Sequence, residues 1–234
     1  MRFVSLFLKF CMIINLQCKE NHSIKKVADV IATTIATTDY LSDLYYNTHN
    51  DISTVKNHLD KVISLINEYH EEDKEKSVLD VGCGPGRDLK YFLNNDISAI
   101  GIDLSETTLN IAKKNVPLAS LFLMDMSKLE FESGRFNAIW SCGSFYHIPK
   151  CLALETLNNF HRVLKSRGIF FLSVKEGEGE QYVNKPEYLN LPKFYSFYLV
   201  PELTKMLQDA NFKILDCILE YKRDTWINIY AIKE

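Results

Sequence analysis

The segment Val78-Leu79-Asp80-Val81-Gly82-Cys83-Gly84-Pro85-Gly86-Arg87-Asp88-Leu89 runs from an apolar strand pattern into a glycine-rich turn and then into a helical pattern. Gly82, Gly84 and Gly86 permit a tight turn and let a flat ligand approach the backbone without meeting a Cβ. A second carboxylate, Asp103, closes the next apolar run through Gly101 and Ile102. At a strand end of an open α/β sheet, such an acid can accept hydrogen bonds from both hydroxyls of a ribose. The turn and the acid together describe a nucleoside site and leave the nucleoside open.

Three features favour a sulfonium nucleoside over a nicotinamide dinucleotide. The spacing is G-x-G-x-G, whereas a pyrophosphate at a helix N-terminus calls for G-x-G-x-x-G. Asp80 stands immediately before the turn, where its charge repels a pyrophosphate but suits the amino group and positive sulfur of S-adenosylmethionine. The third apolar run ends in Met124-Asp125-Met126, an acceptor for the adenine amine with thioethers to pack on the ring. Each feature alone has an ordinary alternative: Asp80 as a cap on a local amide, Met124 as core.

The elements that must position these residues follow from periodicity. Strand patterns fall at 78–81, 99–102, 121–124, 136–140, 168–174, 212–219 and 226–232, with helical patterns at 87–94, 106–114, 152–164 and 201–210. Alternation of this kind signals crossover units and a largely parallel sheet. The last two strands, separated by only a short polar segment, predict a hairpin with at least one antiparallel strand. Before residue 77, an amphipathic helix is expected at 54–69, where Val55, Leu59, Val62, Ile63 and Ile66 share a face. One or two short helices are expected at 24–46, weakened by Thr33, Thr34, Thr37 and Thr38.

With these motifs in place, the chain closely resembles class I S-adenosylmethionine-dependent methyltransferases from about residue 51 to 233. The resemblance rests on 78–89, on Gly101 to Ser105, on Phe122 to Met126, and on the fourth-strand region from Phe136 through Ser144-Phe145-Tyr146-His147-Ile148-Pro149. It extends to Phe160-His161-Arg162-Val163-Leu164-Lys165-Ser166-Arg167-Gly168, where the family usually has Pro-Gly in place of Arg167-Gly168. It implies a Rossmann-like α/β fold with a seven-stranded sheet of order 3-2-1-4-5-7-6, strand 7 antiparallel and helices on both faces. The expected organisation is an N-terminal extension with possible lid helices over 1–50 and a methyltransferase domain over 51–234.

For the site, the resemblance implies that Asp80, Gly82 and Gly84, in the turn that also holds Cys83 and Gly86, surround the methionine end of S-adenosylmethionine. It implies that Asp103 holds the ribose, that Leu104, Asp125 and Met126 frame adenine, and that Ser141 and Cys142 close over the methionine portion. Many relatives carry a Tyr-x-x-x-Ala-x-x-Tyr lid; here Thr38 and Ser42 replace its first two members and Tyr45 is retained. Arg87 either braces the loop through a carboxylate or meets the substrate.

The cofactor brings an activated electrophile, so the protein must chiefly align an acceptor and exclude water, and a base is optional. His147 and Tyr146, after the fourth strand, are the candidates for that catalytic part, with structural roles as the alternative. Lys175-Glu176-Gly177-Glu178-Gly179-Glu180, through its three acids, and the aromatic run Phe194-Tyr195-Ser196-Phe197-Tyr198 form a second candidate wall, suited to a polar or cationic acceptor, or else a solvated loop and ordinary core.

Across 234 residues, 27 Lys+Arg against 30 Asp+Glu give a net charge of -3, which provides no general field for nucleic acid. A small-molecule acceptor is therefore favoured over an RNA methyltransferase, an NAD-dependent oxidoreductase or a non-catalytic cofactor-binding partner protein. The six cysteines, at 11, 18, 83, 142, 151 and 217, form no C-x-x-C pair, and no metal site is expected. An apolar stretch at 3–16, interrupted by Lys9, reads as a signal, an anchor or a packed extension. A cytoplasmic enzyme without membrane association is expected, and the oligomeric state is left open.

Overall fold

Val78, Leu79 and Val81 are all fully buried, as a strand covered on both faces requires. They belong to β1 (Ser77–Val81) in a computed structural model that describes residues 24–234. The apolar stretch at 3–16, with Cys11 and Cys18, lies outside the described residues. Alternation along the strands sorts side chains into two apolar layers. Leu79, Ile139, Phe170 and Leu172 enter one layer with Leu157, Phe160 and Leu203. Val78, Ala138, Trp140 and Phe171 enter the other with Leu59, Val62, Ile66 and Phe92.

In chain order, α1 (Ile24–Thr48) and α2 (Lys56–Tyr69) precede β1, followed by α3 (Arg87–Leu93), β2 (Ser98–Asp103), α4 (Glu106–Asn115) and β3 (Ser120–Leu123). Then come β4 (Phe136–Cys142), α5 (Lys150–Val163), β5 (Leu164–Lys175), β6 (Glu180–Asn184) and β7 (Pro192–Ser196). The chain closes with α6 (Val200–Asp209), β8 (Phe212–Tyr221) and β9 (Thr225–Lys233). The main sheet has the order β3-β2-β1-β4-β5-β9-β8. Pairings from β3 to β5 are parallel, while β9 runs antiparallel to both β5 and β8. This is the expected seven-stranded order, with the terminal hairpin closing at Tyr221 and Thr225. Connections diverge on either side of β1 and β4, which leaves a crevice beyond their carboxyl ends.

Three local features depart from the sequence expectation. The region 24–48 is one long helix, because Val27, Val30 and Leu41 bury a face, and the Thr34 and Thr48 hydroxyls are accommodated by donating to the Val30 and Leu44 carbonyls one turn back. Strand β5 begins at Leu164 and not at 168; Arg167 adopts a left-handed φ of 60° there, and the pairing shifts register between Phe136 and Ala138. The segment 180–196 forms a separate two-stranded ribbon, β6–β7, in which Val183 faces Lys193. Thr37 Oγ1 donates to the Pro192 carbonyl at 2.9 Å, pinning that ribbon to α1.

Phe171 is the hub of the second layer, fully buried and stacked on Trp140 with ring centroids 4.2 Å apart. Replacing it with Ala is expected to cost about 3–5 kcal/mol of unfolding free energy in urea titration, from lost transfer energy and the cavity left behind. A loss under about 1 kcal/mol would contradict this packing account.

Candidate active site

The glycine turn is shaped by close approach. A Cβ on Gly82, which has φ 70°, would lie 2.4 Å from the Ser144 Cβ, and one on Gly86, with φ 89°, would lie 2.7 Å from a Val116 methyl. The turn is also tied to β2: the Gly82 and Cys83 amides both donate to the Ile102 carbonyl, at 2.8 and 3.0 Å. Asp103 completes the tie, with Oδ2 accepting from the Gly84 amide at 3.1 Å and Oδ1 from the Ser105 amide at 2.9 Å. Burial pushes this carboxyl above the ordinary value, and those amide bonds oppose the shift.

Arg87 braces the start of α3. Its guanidinium donates to both oxygens of Asp88, at 2.7 and 3.0 Å, and to the His49 carbonyl at 3.2 Å, which joins the turn to the end of α1. Asp88 also accepts the indole N–H of Trp140 at 2.8 Å. Of the two roles open to Arg87, bracing is the one these contacts build.

Beyond the strand ends lies a cavity of about 390 Å³. Gly82, Gly84, Asp103 and Leu104 line it, as do Asp125, Met126 and Cys142, so residues from the ends of three strands and the intervening loops converge there. Asp125 Oδ1 accepts from the Ser127 amide and hydroxyl, both at 2.8 Å, while Oδ2 is uncommitted among the described residues. Asp80, Cys83, Gly86 and Ser141 stand behind the lining. Asp80 is only 2% exposed, and its Oδ2 has no hydrogen-bond partner; burial and the neighbouring Asp88 push its carboxyl well up. An orphaned buried oxygen beside a turn that excludes a Cβ fits a ligand that brings a donor, as the amino group of S-adenosylmethionine does.

The opposite wall comes from α1, the ribbon and the segment after β4. Tyr45 lies with its ring 3.9 Å from where a Cβ on Gly84 would be, and stacks on His49 at 4.2 Å. Tyr146 and His147 both line the cavity. His147 Nδ1 is 2.8 Å from the Phe194 carbonyl and must donate to it, so Nε2 keeps the lone pair. Burial, then the nearby Lys193 charge, lowers this imidazole to about 3. Burial holds the Tyr146 and Cys142 protons on their side chains, raising both groups above their ordinary values.

The acidic wall expected from the sequence does not form. Glu176, Glu178 and Glu180 lie off the cavity, and Glu180 Oε1 instead accepts the Lys150 amide at 2.6 Å and the Ser196 hydroxyl at 3.1 Å. Phe194, Tyr195 and Tyr198 are buried as core behind the wall, with Tyr195 packing on Tyr146 and His147 at 5.1 Å from each. The ribbon contributes Tyr188 and Lys193 to the cavity, and β5 contributes Lys175. Sequence reasoning assigned Tyr188 and Lys193 no role and placed Lys175 only at the head of the candidate wall segment, whose acids it singled out. Lys175 carried a weak positional signal at a strand end; Lys193 and Tyr188 carried none.

Residues 78–168 match the family model described as a methyltransferase domain. An uncharacterized methyltransferase of Synechocystis is 31% identical over 97 residues, covering 42% of this chain and 46% of that protein. The tRNA U34 carboxymethyltransferase of Aliarcobacter butzleri is 27% identical over 157 residues, 62% of this chain and 50% of that protein. The chain thus spans about half the length of these curated relatives. Among solved structures, the 1,6-didemethyltoxoflavin-N1-methyltransferase of Burkholderia thailandensis, with 1,6-didemethyltoxoflavin and S-adenosylhomocysteine bound, shares the fold at TM-score 0.64 and 21% identity, over 88% of this chain and 90% of that one. The chain has the fold of this solved methyltransferase, and its residues 78–168 match a methyltransferase domain.

The depressed His147 basicity sets a pH dependence. The unfolded chain takes up this proton near the ordinary 6.5 and the folded protein only near 3. Stability owed to the neutral ring is therefore complete above pH 6.5 and is lost as pH falls toward 3. In urea titrations, His147→Gln is expected to lose less unfolding free energy than the parent between pH 6.5 and about 4. Equal losses in the two proteins would contradict a buried neutral imidazole.

Proposed function

We propose that this chain binds S-adenosylmethionine in the cavity beyond β1, β2 and β4 and methylates a small-molecule acceptor held against the wall formed by α1, the ribbon and the segment after β4. The observation that carries this reading is the convergence in one 390 Å³ cavity of the glycine turn, Asp103 and Asp125, with Tyr45, Tyr146 and His147 facing them across it. That volume lies in the range of small-ligand sites.

In this reading Asp103 accepts the ribose hydroxyls through the lone pairs its amide partners leave, and Asp125 Oδ2 takes the adenine amine, with Leu104 and Met126 against the ring. Gly82 and Gly84 let the methionine portion lie close to the backbone, with Asp80 as its acceptor and with Cys83, Gly86, Ser141 and Cys142 shaping the turn and its rim. S-adenosylmethionine supplies a methyl group already activated for displacement. What remains for the chain is to orient the acceptor and keep water out. His147 is neutral at physiological pH and offers a lone pair at Nε2, but a group protonated only near pH 3 is a weak base. Its part is to hold and align the acceptor by a hydrogen bond, beside the phenol of Tyr146, and the acceptor arrives ionised or loses its proton elsewhere.

A small acceptor is favoured over RNA because, of the cationic residues that line the cavity, Lys175 and Lys193 are each only 6% exposed, while Arg87 and Lys222 are paired with Asp88 and Glu220. We take 51–234 as the catalytic unit, with the helix Ile24–Thr48 as the lid that brings Tyr45 over the turn. A cytoplasmic setting is supported by the free thiols of Cys83, Cys142 and Cys217. No helix among the described residues is long and apolar enough to cross a membrane.

Calorimetric titration with S-adenosylhomocysteine tests the cofactor reading. The parent is expected to bind it, and Asp103→Ala to weaken it by about 10- to 100-fold, since hydrogen bonds to a charged group are lost. Thermal unfolding checks that the variant is folded. Equal affinity in a folded Asp103→Ala protein, or displacement of the ligand by NADH, would reject the assignment.

A further inference from the structure

Lys193 is a buried charge on the ribbon side of the cavity. It is 6% exposed, and no carboxylate lies within ion-pair distance of it among the described residues. Its Nζ sits 4.8 Å from the Tyr188 ring centroid and 5.6 Å from that of Tyr45, so aromatic faces are its neighbours inside the cavity. Burial lowers it to about 8, with Asp103 resisting and Lys175 adding to the shift, so the amine is still mostly charged at neutral pH. A buried ammonium without a carboxylate is costly, and the cost is met only when an anion is brought to it.

The neighbouring charges point the same way. Lys175, also 6% exposed, pairs with Asp224, but that carboxylate is shared with Lys185 at 2.8 Å. Lys175 Nζ lies 4.9 Å from the Tyr195 ring and 5.3 Å from the Trp226 ring. One carboxylate therefore serves two lysines while Lys193 has none within ion-pair distance, and this wall is left with surplus positive charge opposite the Asp103 side of the cavity. The same wall presents flat aromatic faces, with Tyr45, Tyr146, Tyr188 and Trp226 all lining the cavity. Such faces suit a planar ring.

Resting on the methyltransferase reading, we propose that the acceptor is a small aromatic anion, and that Lys193, supported by Lys175, is the specificity-determining residue that receives its negatively charged oxygen. The ribbon β6–β7 exists in this account to deliver Lys193 and Tyr188, and the Thr37 bond to Pro192 fixes that delivery to α1. An acceptor that arrives already ionised also needs no strong base, which fits the neutral His147.

The test uses the full chain and three probes of one shape: benzoate, neutral benzamide and cationic benzamidine. Each is titrated calorimetrically with and without saturating S-adenosylhomocysteine. Benzoate is expected to bind at least about tenfold more tightly than either competitor, a preference lost in Lys193→Met and kept in Lys193→Arg. Lys193→Met removes an uncompensated buried charge and should fold, which thermal unfolding verifies; Lys193→Arg keeps the charge as a second check. Benzamide or benzamidine binding as tightly as benzoate, no binding by any probe, or a benzoate preference that survives Lys193→Met would overturn the proposal. So would a Lys193→Met protein that loses S-adenosylhomocysteine affinity by more than about tenfold, because the lysine would then serve the cofactor's own carboxylate. Failure of S-adenosylhomocysteine to bind the parent overturns the methyltransferase reading, and the probe series without it still decides the anion preference.

Discussion

Asp103 holds the two sides of the glycine turn in register. Its carboxylate receives the Gly84 amide from one direction and the Ser105 amide from the other. This joins the end of β2 to the turn after β1 and to the entry of α4, whose first turn is capped by the Ser105 hydroxyl at 3.0 Å from the Thr108 amide. The Gly82 and Cys83 amides reinforce the join through the Ile102 carbonyl. With the turn fixed, the space above it has a defined floor. Arg87 then carries the constraint outward, since its bonds to Asp88 and to the His49 carbonyl couple the floor to the end of α1, which forms part of the roof.

Floor and roof have opposite electrostatic character. Asp80, Asp103 and Asp125 lie under or along the floor, while Lys175 and Lys193 come from the far wall. Keeping so many titratable groups in a small recess is unfavourable for the isolated protein. The strain shows in both directions: Asp80 and Asp103 are pushed up, and Lys193 and His147 are pushed down. A ligand with its donors toward the floor and an anion toward the far wall relieves both sets, and two ligands meeting end to end do so together.

The floor was legible in the sequence because its constraints are local. A turn that excludes Cβ atoms needs glycines at fixed spacing, and acids at strand ends follow runs that read clearly as buried strands. The largely parallel sheet followed from the same alternation and the terminal hairpin from the short polar segment between β8 and β9, while the strand order came with the family resemblance. The far wall was not legible, because contacts across 155 residues, such as Thr37 to Pro192, leave no periodic trace. The ribbon strands are short and partly polar, so Lys193 sat in an unremarkable run, and the acids at 176–180 drew attention to charges that point elsewhere. The threonines of α1 misled for a related reason: the helix is held by the tertiary burial of Val27, Val30 and Leu41, which propensity alone does not count.

The central claim, that one cavity seats a nucleoside on the floor and an acceptor against the lysine and aromatic wall, is most directly tested by a crystal structure of the full chain with S-adenosylhomocysteine. The account predicts the ribose on Asp103, the adenine between Asp125, Leu104 and Met126, and the sulfur turned toward the space bounded by Tyr146, His147 and Lys193. A nucleoside bound outside this cavity, or one reversed so that its adenine rests against Lys193 and its sulfur faces away from Tyr146, would contradict it.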